Sequence, residues 1–361
     1  MLTGVRNAGK IALMFCAMLI ASCSSSEGEA PEPRTEFDIG WSIYAGWMPW
    51  PYAQQAGIVD KWADKYGLEI NFVQVNDYVE SVNQYTAGKL DGVTVANMDA
   101  LTIPAAGGKD TSAIILGDYS NGNDGILLKG SNNLADIRGR DVNLVELSVS
   151  HYLLARGLEE AGMPLTAVNT MNTADADIAG AFTSDEVTAA VAWNPQLATM
   201  KTAPNANMVF SSADIPGEIV DLLVVDTATL KANPNLGKAL AGIWYETMAL
   251  MQQDTPEGRE ARAAMARLAG TTPDVFEDQL STTYLYADPA AAVEATRSPS
   301  LVETMTRVRD FSFAQGLFGQ GARSADAVGM SFPGGTVLGD PNNVTLRFDD
   351  SYMQMAAEGA L

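Results

Sequence analysis

The side chains best equipped for chemistry in this sequence are carboxylates and flat aromatics, which recur together in five short segments between apolar runs. Tyr44, Trp47, Trp50 and Tyr52 share the first segment, and Asn97 and Asp99 the second. Asp118, Tyr119 and Asp124 lie in the third, Glu146, Ser148 and Ser150 in the fourth, and Trp193 opens the fifth. None of the five contains Lys or Arg. A carboxylate accepts paired N–H donors from a planar cation in a bidentate manner. An aromatic face adds roughly 0.5–2 kcal/mol of attraction for the same cation. An anion would need amides, hydroxyls or cations instead. Ser148 and Ser150 are hydroxyls of that kind at a helix start, but Glu146 lies two residues before Ser148 and would repel an anion. Glu146 therefore ranks first among the candidate acids, and the set as a whole suits a small planar cation.

Each of these residues also has a plainer role open to it. Trp193 at a strand end, and Trp47 and Trp50 in a proline-rich loop, equally fit packing beneath a neighbouring helix. Asp118 can close a turn with Ser120 and Asn121, Asp91 and Asp99 can be satisfied structural acids, and His151, the only histidine, can simply begin a helix.

The elements that must position them follow from periodicity. Phe37–Tyr44 and Leu68–Val75 alternate apolar and polar residues as strands do, while Leu90–Ala96, 113–116 and Asp124–Lys129 read as buried strands. The two prolines of 46–52 predict an irregular loop, followed by a helix over 53–66. Val142–Val145 begins a second βαβ unit, with Ser148 or Ser150 capping a helix from Tyr152. Strands over 188–193 and 221–226 precede a mostly helical C-terminal third. The expected class is α/β with two lobes, each a mostly parallel sheet flanked by helices, and a ligand cleft at the strand ends between them. The expected boundaries are 37–128 with 222–361 for lobe I and 129–221 for lobe II.

The N-terminal residues bear on location. Arg6 and Lys10 precede an apolar run over 11–20, the length of a signal-peptide core and too short to span a bilayer. It ends in Leu19-Ile-Ala-Ser-Cys23, which resembles a bacterial lipobox, so Cys23 is the expected lipidation site. Residues 24–34 (SSSEGEAPEPR) read as a flexible tether. The only other cysteine, Cys16, lies in the removed segment, so no disulfide is expected. The chain has 361 residues and a net charge of −22, which becomes −24 once Arg6 and Lys10 leave with the leader. That charge argues against nucleic acid as a partner.

In order and spacing, Gly88-Lys-Leu-Asp91, Gly139-Arg-Asp-Val142, Ser148-Val-Ser-His-Tyr152 and Val191-Ala-Trp-Asn-Pro195 resemble the periplasmic binding proteins of the nitrate, taurine and sulfonate type. Gly46-Trp-Met-Pro-Trp-Pro-Tyr52, Val95–Ala100 and Gly117–Asp124 look like the subgroup associated with urea carboxylase gene clusters. The resemblance implies a type II two-lobed receptor, monomeric and periplasmic. It would be held by its lipid anchor, capture a small nitrogen-rich solute and deliver it to an ABC permease in the inner membrane. Guanidinium ranks above urea, since a neutral ligand leaves a buried carboxylate uncompensated. A sulfonate- or nitrate-type anion is the alternative within the class. An enzyme on a related fold is the alternative outside it, but neither Gly-x-Ser-x-Gly nor His-Glu-x-x-His occurs. Neither a metal nor a cofactor is expected, because hard-cation sites space their oxygens more densely.

Overall fold

The computed structural model describes residues 34–361. The leader, Cys23 and most of the tether lie outside the described residues. Fourteen strands form two sheets. The first holds β1 (Glu36–Trp41), β2 (Glu69–Gln74), β3 (Gly92–Ala96), β4 (Thr111–Ser120), β10 (Val220–Asp226), β11 (Thr283–Leu285), β12 (Gly329–Ser331), β13 (Val337–Leu338) and β14 (Val344–Phe348). Its order is β13-β12-β14-β4-β10-β3-β1-β2, with β11 also paired to β4. The second holds β5 (Asp124–Lys129), β6 (Asp141–Leu144), β7 (Asn169–Asn172), β8 (Ala189–Trp193) and β9 (Ala206–Ser211), in the order β7-β6-β8-β5-β9.

The alternation of β1 buries Phe37, Ile39 and Trp41, whereas β3 (GVTVA) is buried on both faces, as a central strand must be. Three expectations need correction. Both sheets are mixed rather than mostly parallel: β10 runs antiparallel to β3 and β4, and β5 antiparallel to β8 and β9. These are the strands entered as the chain crosses between sheets, at 121–123 and 212–219. For the same reason Asp124–Lys129 belongs to the second sheet, so lobe II begins near 124 and not at 129. The loop expected over 46–52 is instead a short turn followed by the helix Pro49–Gln55. Its prolines fall in the first turn, where no intrahelical N–H bond is lost. Gly57, in the left-handed region at φ 73°, separates that helix from Ile58–Tyr66.

The two crossings are tied together by the Ser120 and Ser212 hydroxyls at 2.6 Å and by the Gly122 amide donating to Ser212 Oγ at 2.8 Å. Farther along, a buried ion cluster joins the lobes. Glu218 accepts from Tyr152 Oη at 2.6 Å and Arg156 Nε at 2.8 Å, both on helix Val149–Glu160, and from Arg307 Nη1 at 3.1 Å on helix Pro299–Ala314. Burial pushes the Glu218 carboxyl up, but the Arg156 hydrogen bond and its companions outweigh this and hold it below its ordinary value. Stability from this group is present above the unfolded carboxyl's titration and is lost as pH falls through the folded one.

Removing the charge should expose that dependence. Glu218→Gln is expected to lower stability by about 2–3 kcal/mol in chemical denaturation at neutral pH, because Arg156 loses its one buried carboxylate and keeps only the exposed Glu159 and Glu160. A loss within about 0.5 kcal/mol, the usual surface range, would show that the cluster does not hold the lobes.

Candidate functional site

Strands β3, β10 and β4 lie side by side, and their register aligns Ala96, Asp221 and Asp118 in one row. Two carboxylates directly opposite on neighbouring strands are a destabilising pair, and here both are buried. Tyr44 Oη donates to Asp118 Oδ1 at 3.0 Å, and Asp118 and Asp221 lie close enough for their carboxyls to share a proton. The turn Ala45–Trp47 descends so closely on this carboxylate that a Cβ at Gly46 would sit 2.3 Å from Asp118 Oδ2. Asp124, the first residue of β5, faces Trp193 across the β5–β8 ladder and accepts from Ser120 Oγ at 2.5 Å.

Four aromatic rings line up above these acids. Tyr44 meets Trp47 edge-on at 5.1 Å, Trp47 lies 5.6 Å from Tyr78, and Tyr78 meets Trp193 of the second lobe edge-on at 5.7 Å. Together with Ala96, Asp124, Val149, Ile219 and Asp221 they enclose a cavity of ≈ 20 Å³ between the lobes. A single buried water needs about 10–15 Å³ on this measure, so the lobes are closely apposed here. Cationic side chains are missing from this lining. A wider groove of ≈ 790 Å³ opens alongside, between helices Gln196–Met200 and Pro273–Ser281. It lacks the acids and the aromatic walls, and the chemistry points to the smaller cavity.

Burial governs the ionisation of the acids. It pushes Asp118 up to about 7, with the hydrogen bond from Tyr44 opposing it. It likewise raises Asp99 to about 7 and Asp124 to about 6. Asp221 is pushed well above its ordinary value by burial and by the charges of Asp118 and Asp124. With no cation among the described lining residues, Asp118 and Asp124 carry protons below these values and become a concentrated negative charge only above them.

Tyr44, Trp47 and Trp193 line the cavity, and Asp118 lies beside Asp221 at its floor. Asp99 sits one layer behind, its Oδ2 accepting from Tyr78 Oη at 2.6 Å. Asn97 is buried and structural: its Nδ2 donates to the Glu218 carbonyl at 3.1 Å, and its Oδ1 accepts from the Val220 amide at 3.3 Å. Ser148 caps its helix, accepting from the Ser150 amide at 3.2 Å and donating to the Val145 carbonyl at 2.8 Å. Tyr119 is outside the cavity, stacked on Tyr284 at 4.7 Å.

Two further expectations are corrected, beside those for Asn97, Ser148 and Tyr119. Trp50 is core, stacked on Phe72 at 5.0 Å and against Trp244 at 4.8 Å. Glu146, ranked first among the acids, does not line the cavity. Strand β6 ends at Leu144, the chain turns through left-handed Leu147 (φ 65°), and Glu146 accepts from Thr170 Oγ1 on edge strand β7. Tyr78 and Asp221 were missed. Asp221 carried a signal, an acid that interrupts the apolar strand VDLLVVD one residue in, while Asp226 only closes it; Tyr78, in an amphipathic helix, carried none.

The match to known proteins agrees with this architecture. Residues 53–254 match the family model "NMT1/THI5 like", and the chain belongs to that family. Curated relatives from Brucella abortus and Brucella suis, whose names call them binding proteins, are 28% identical over 138 residues. The match covers 38% of this chain and 42% of theirs, so the chain spans less than half the length of those relatives. Among solved structures, the alkanesulfonate-binding protein of Xanthomonas axonopodis pv. citri bound to MOPS superposes with a TM-score of 0.66 at 16% identity. That match covers 79% of this chain and 95% of the other. The periplasmic nitrate-binding protein of Synechocystis PCC 6803 gives 0.55 at 13% identity, over 90% and 99% of the two chains. These likenesses establish the two-lobed periplasmic-binding-protein fold.

A carboxyl with a folded pKa above its unfolded value near 3.8 takes up a proton on folding. Its contribution to stability is therefore full below about pH 4 and lost as pH rises to about 7. Asp118→Asn removes one such group. Its stability relative to the unsubstituted protein should rise across pH 4–7 and be higher at pH 8, as followed by denaturant melts. A difference that stays constant or moves the other way would contradict a strained carboxylate pair.

Proposed function

We propose that this chain is an exported solute-binding receptor of an ABC importer and that its solute is a small planar cation, guanidinium ahead of urea. The observation that carries the reading is a narrow aromatic box set over Asp118, Asp124 and Asp221 with no cationic side chain among its described lining residues. With the lobes apart, water solvates these acids. Closing on nothing leaves like charges buried together, at a cost of several kcal/mol. Closing on a cation replaces the lost hydration with bidentate N–H donation to carboxylate and with stacking on Trp47, Tyr78 or Trp193. Closure thus becomes conditional on the solute, which is how a two-lobed receptor signals that it is loaded. Urea would satisfy hydrogen bonds and leave the charge in place.

The closed lobe pair would be recognised by an ABC permease of the inner membrane. The lipobox-like Leu19-Ile-Ala-Ser-Cys23 supports a monomeric periplasmic lipoprotein anchored through Cys23, a receptor and not an enzyme. A second reading is favoured by the names of the structural neighbours, which concern alkanesulfonate and nitrate. In that reading the ligand is an oxyanion held at the start of helix Val149–Glu160.

Titration separates the two. By calorimetry at pH 8, guanidinium should bind saturably, urea at least tenfold more weakly, and taurine and nitrate not at all. Guanidinium binding should weaken as pH falls from 8 to 5.5, when Asp118 and Asp124 take up protons. Saturable taurine or nitrate binding with no response to guanidinium overturns the cation reading. For the anchor, Cys23→Ser is expected to abolish metabolic labelling with a radioactive fatty acid; persistent labelling would place the acyl chain elsewhere.

A further inference from the structure

Helix Val149–Glu160 is 12 residues long and begins at the seam between the lobes, where Val149 lines the cavity. The start of such a helix carries roughly half a positive charge together with unpaired amides, and it attracts anions. Two further donors stand in its first turn. Ser148 Oγ is engaged by its own helix, but Ser150 Oγ is fully buried and without a partner among the described residues.

Asp99 approaches this terminus from the first lobe. It is fully buried, and Tyr78 Oη holds its Oδ2 at 2.6 Å. Its other oxygen is partnerless by hydrogen-bond geometry. The Val149 amide nonetheless lies close enough to favour the ionised carboxylate, against the larger opposing effect of burial. A buried carboxylate with one oxygen free, beside the first amide of a helix, has the charge and the acceptor oxygens of a bound anion.

We propose that Asp99 is a specificity-determining residue: held by Tyr78, it occupies the anion position at the start of helix Val149–Glu160 and denies that position to a dissolved oxyanion. The inference rests on the cation reading and deepens it. A receptor scaffold with a helix terminus suited to oxyanions is turned toward cations by supplying the anion itself. The added negative charge beside Asp118, Asp124 and Asp221 then repels any further anion and leaves a cation as the species the cavity can take up.

The test is a gain of function. Asp99→Gly clears the carboxylate from beside the Val149 amide and leaves the unpartnered Ser150 hydroxyl as a second donor. Nitrate and methanesulfonate, with chloride at matched ionic strength as control, are titrated into the variant and the unsubstituted protein by thermal shift and calorimetry. The variant should show a saturable upward shift in Tm and bind nitrate at least tenfold more tightly than the unsubstituted protein, which should respond no more than to chloride. Should Asp99→Gly fail to melt cooperatively, Asp99→Ser, small and uncharged, decides by the same criterion. A cooperatively folded variant with no saturable anion response overturns the assignment. The guanidinium titration of the unsubstituted protein keeps the two ideas apart. If it binds guanidinium while the variants gain no anion, the role of Asp99 fails alone. If it binds nitrate and not guanidinium, the cation reading itself fails.

Discussion

The structure turns on one electrostatic constraint: Asp118 and Asp221 are paired across neighbouring strands in a buried seam, with Asp124 close by and no cationic side chain among the described residues of the cavity lining. In water such a pair is tolerable. Buried between two lobes it is a source of strain that folding does not relieve. Much around it makes sense as a response. Tyr44 lends Asp118 one hydroxyl, Ser120 lends Asp124 another, and Gly46 lets a turn pass over Asp118 where any side chain would collide. None of these neutralises charge. Acids kept without a cationic partner, at a cost in stability, are the observation on which the proposed cation site rests.

A strained seam needs an independent fastening, and the Glu218 cluster supplies one. Tyr152 and Arg156 reach it from the second lobe and Arg307 from the first. Glu218 lies on the returning crossover, three residues before Asp221, so the segment that carries the latch also carries part of the acid cluster. Asn97 ties the same crossover to the end of β3. Relative lobe position and carboxylate spacing are thereby mechanically linked.

The α/β class and the two-lobe plan were legible in the sequence because alternating strands and amphipathic helices leave a periodic signature. The direction of individual strands was not legible: β5 and β10 look like their neighbours, and only the crossing between sheets reverses them. The site was half legible. Tyr44, Trp47, Trp193 and Asp118 stand out as aromatics and acids at strand ends. Trp50 has the same local appearance, and only the position of Phe72 and Trp244 consigns it to the core. Glu146 was misjudged because proximity to Ser148 along the chain says nothing about the left-handed turn at Leu147 that carries it off. Tyr78 is an ordinary helix residue until the second lobe brings Trp193 against it.

The most direct measurement is a crystal structure of the protein grown with millimolar guanidinium at pH 8. The account predicts a planar ligand between the lobes, its nitrogens within hydrogen-bonding distance of Asp118, Asp124 or Asp221 and its face against Trp47, Tyr78 or Trp193. Guanidinium absent from that cavity, or a tetrahedral or trigonal oxyanion at the Val149 amide in its place, would contradict it.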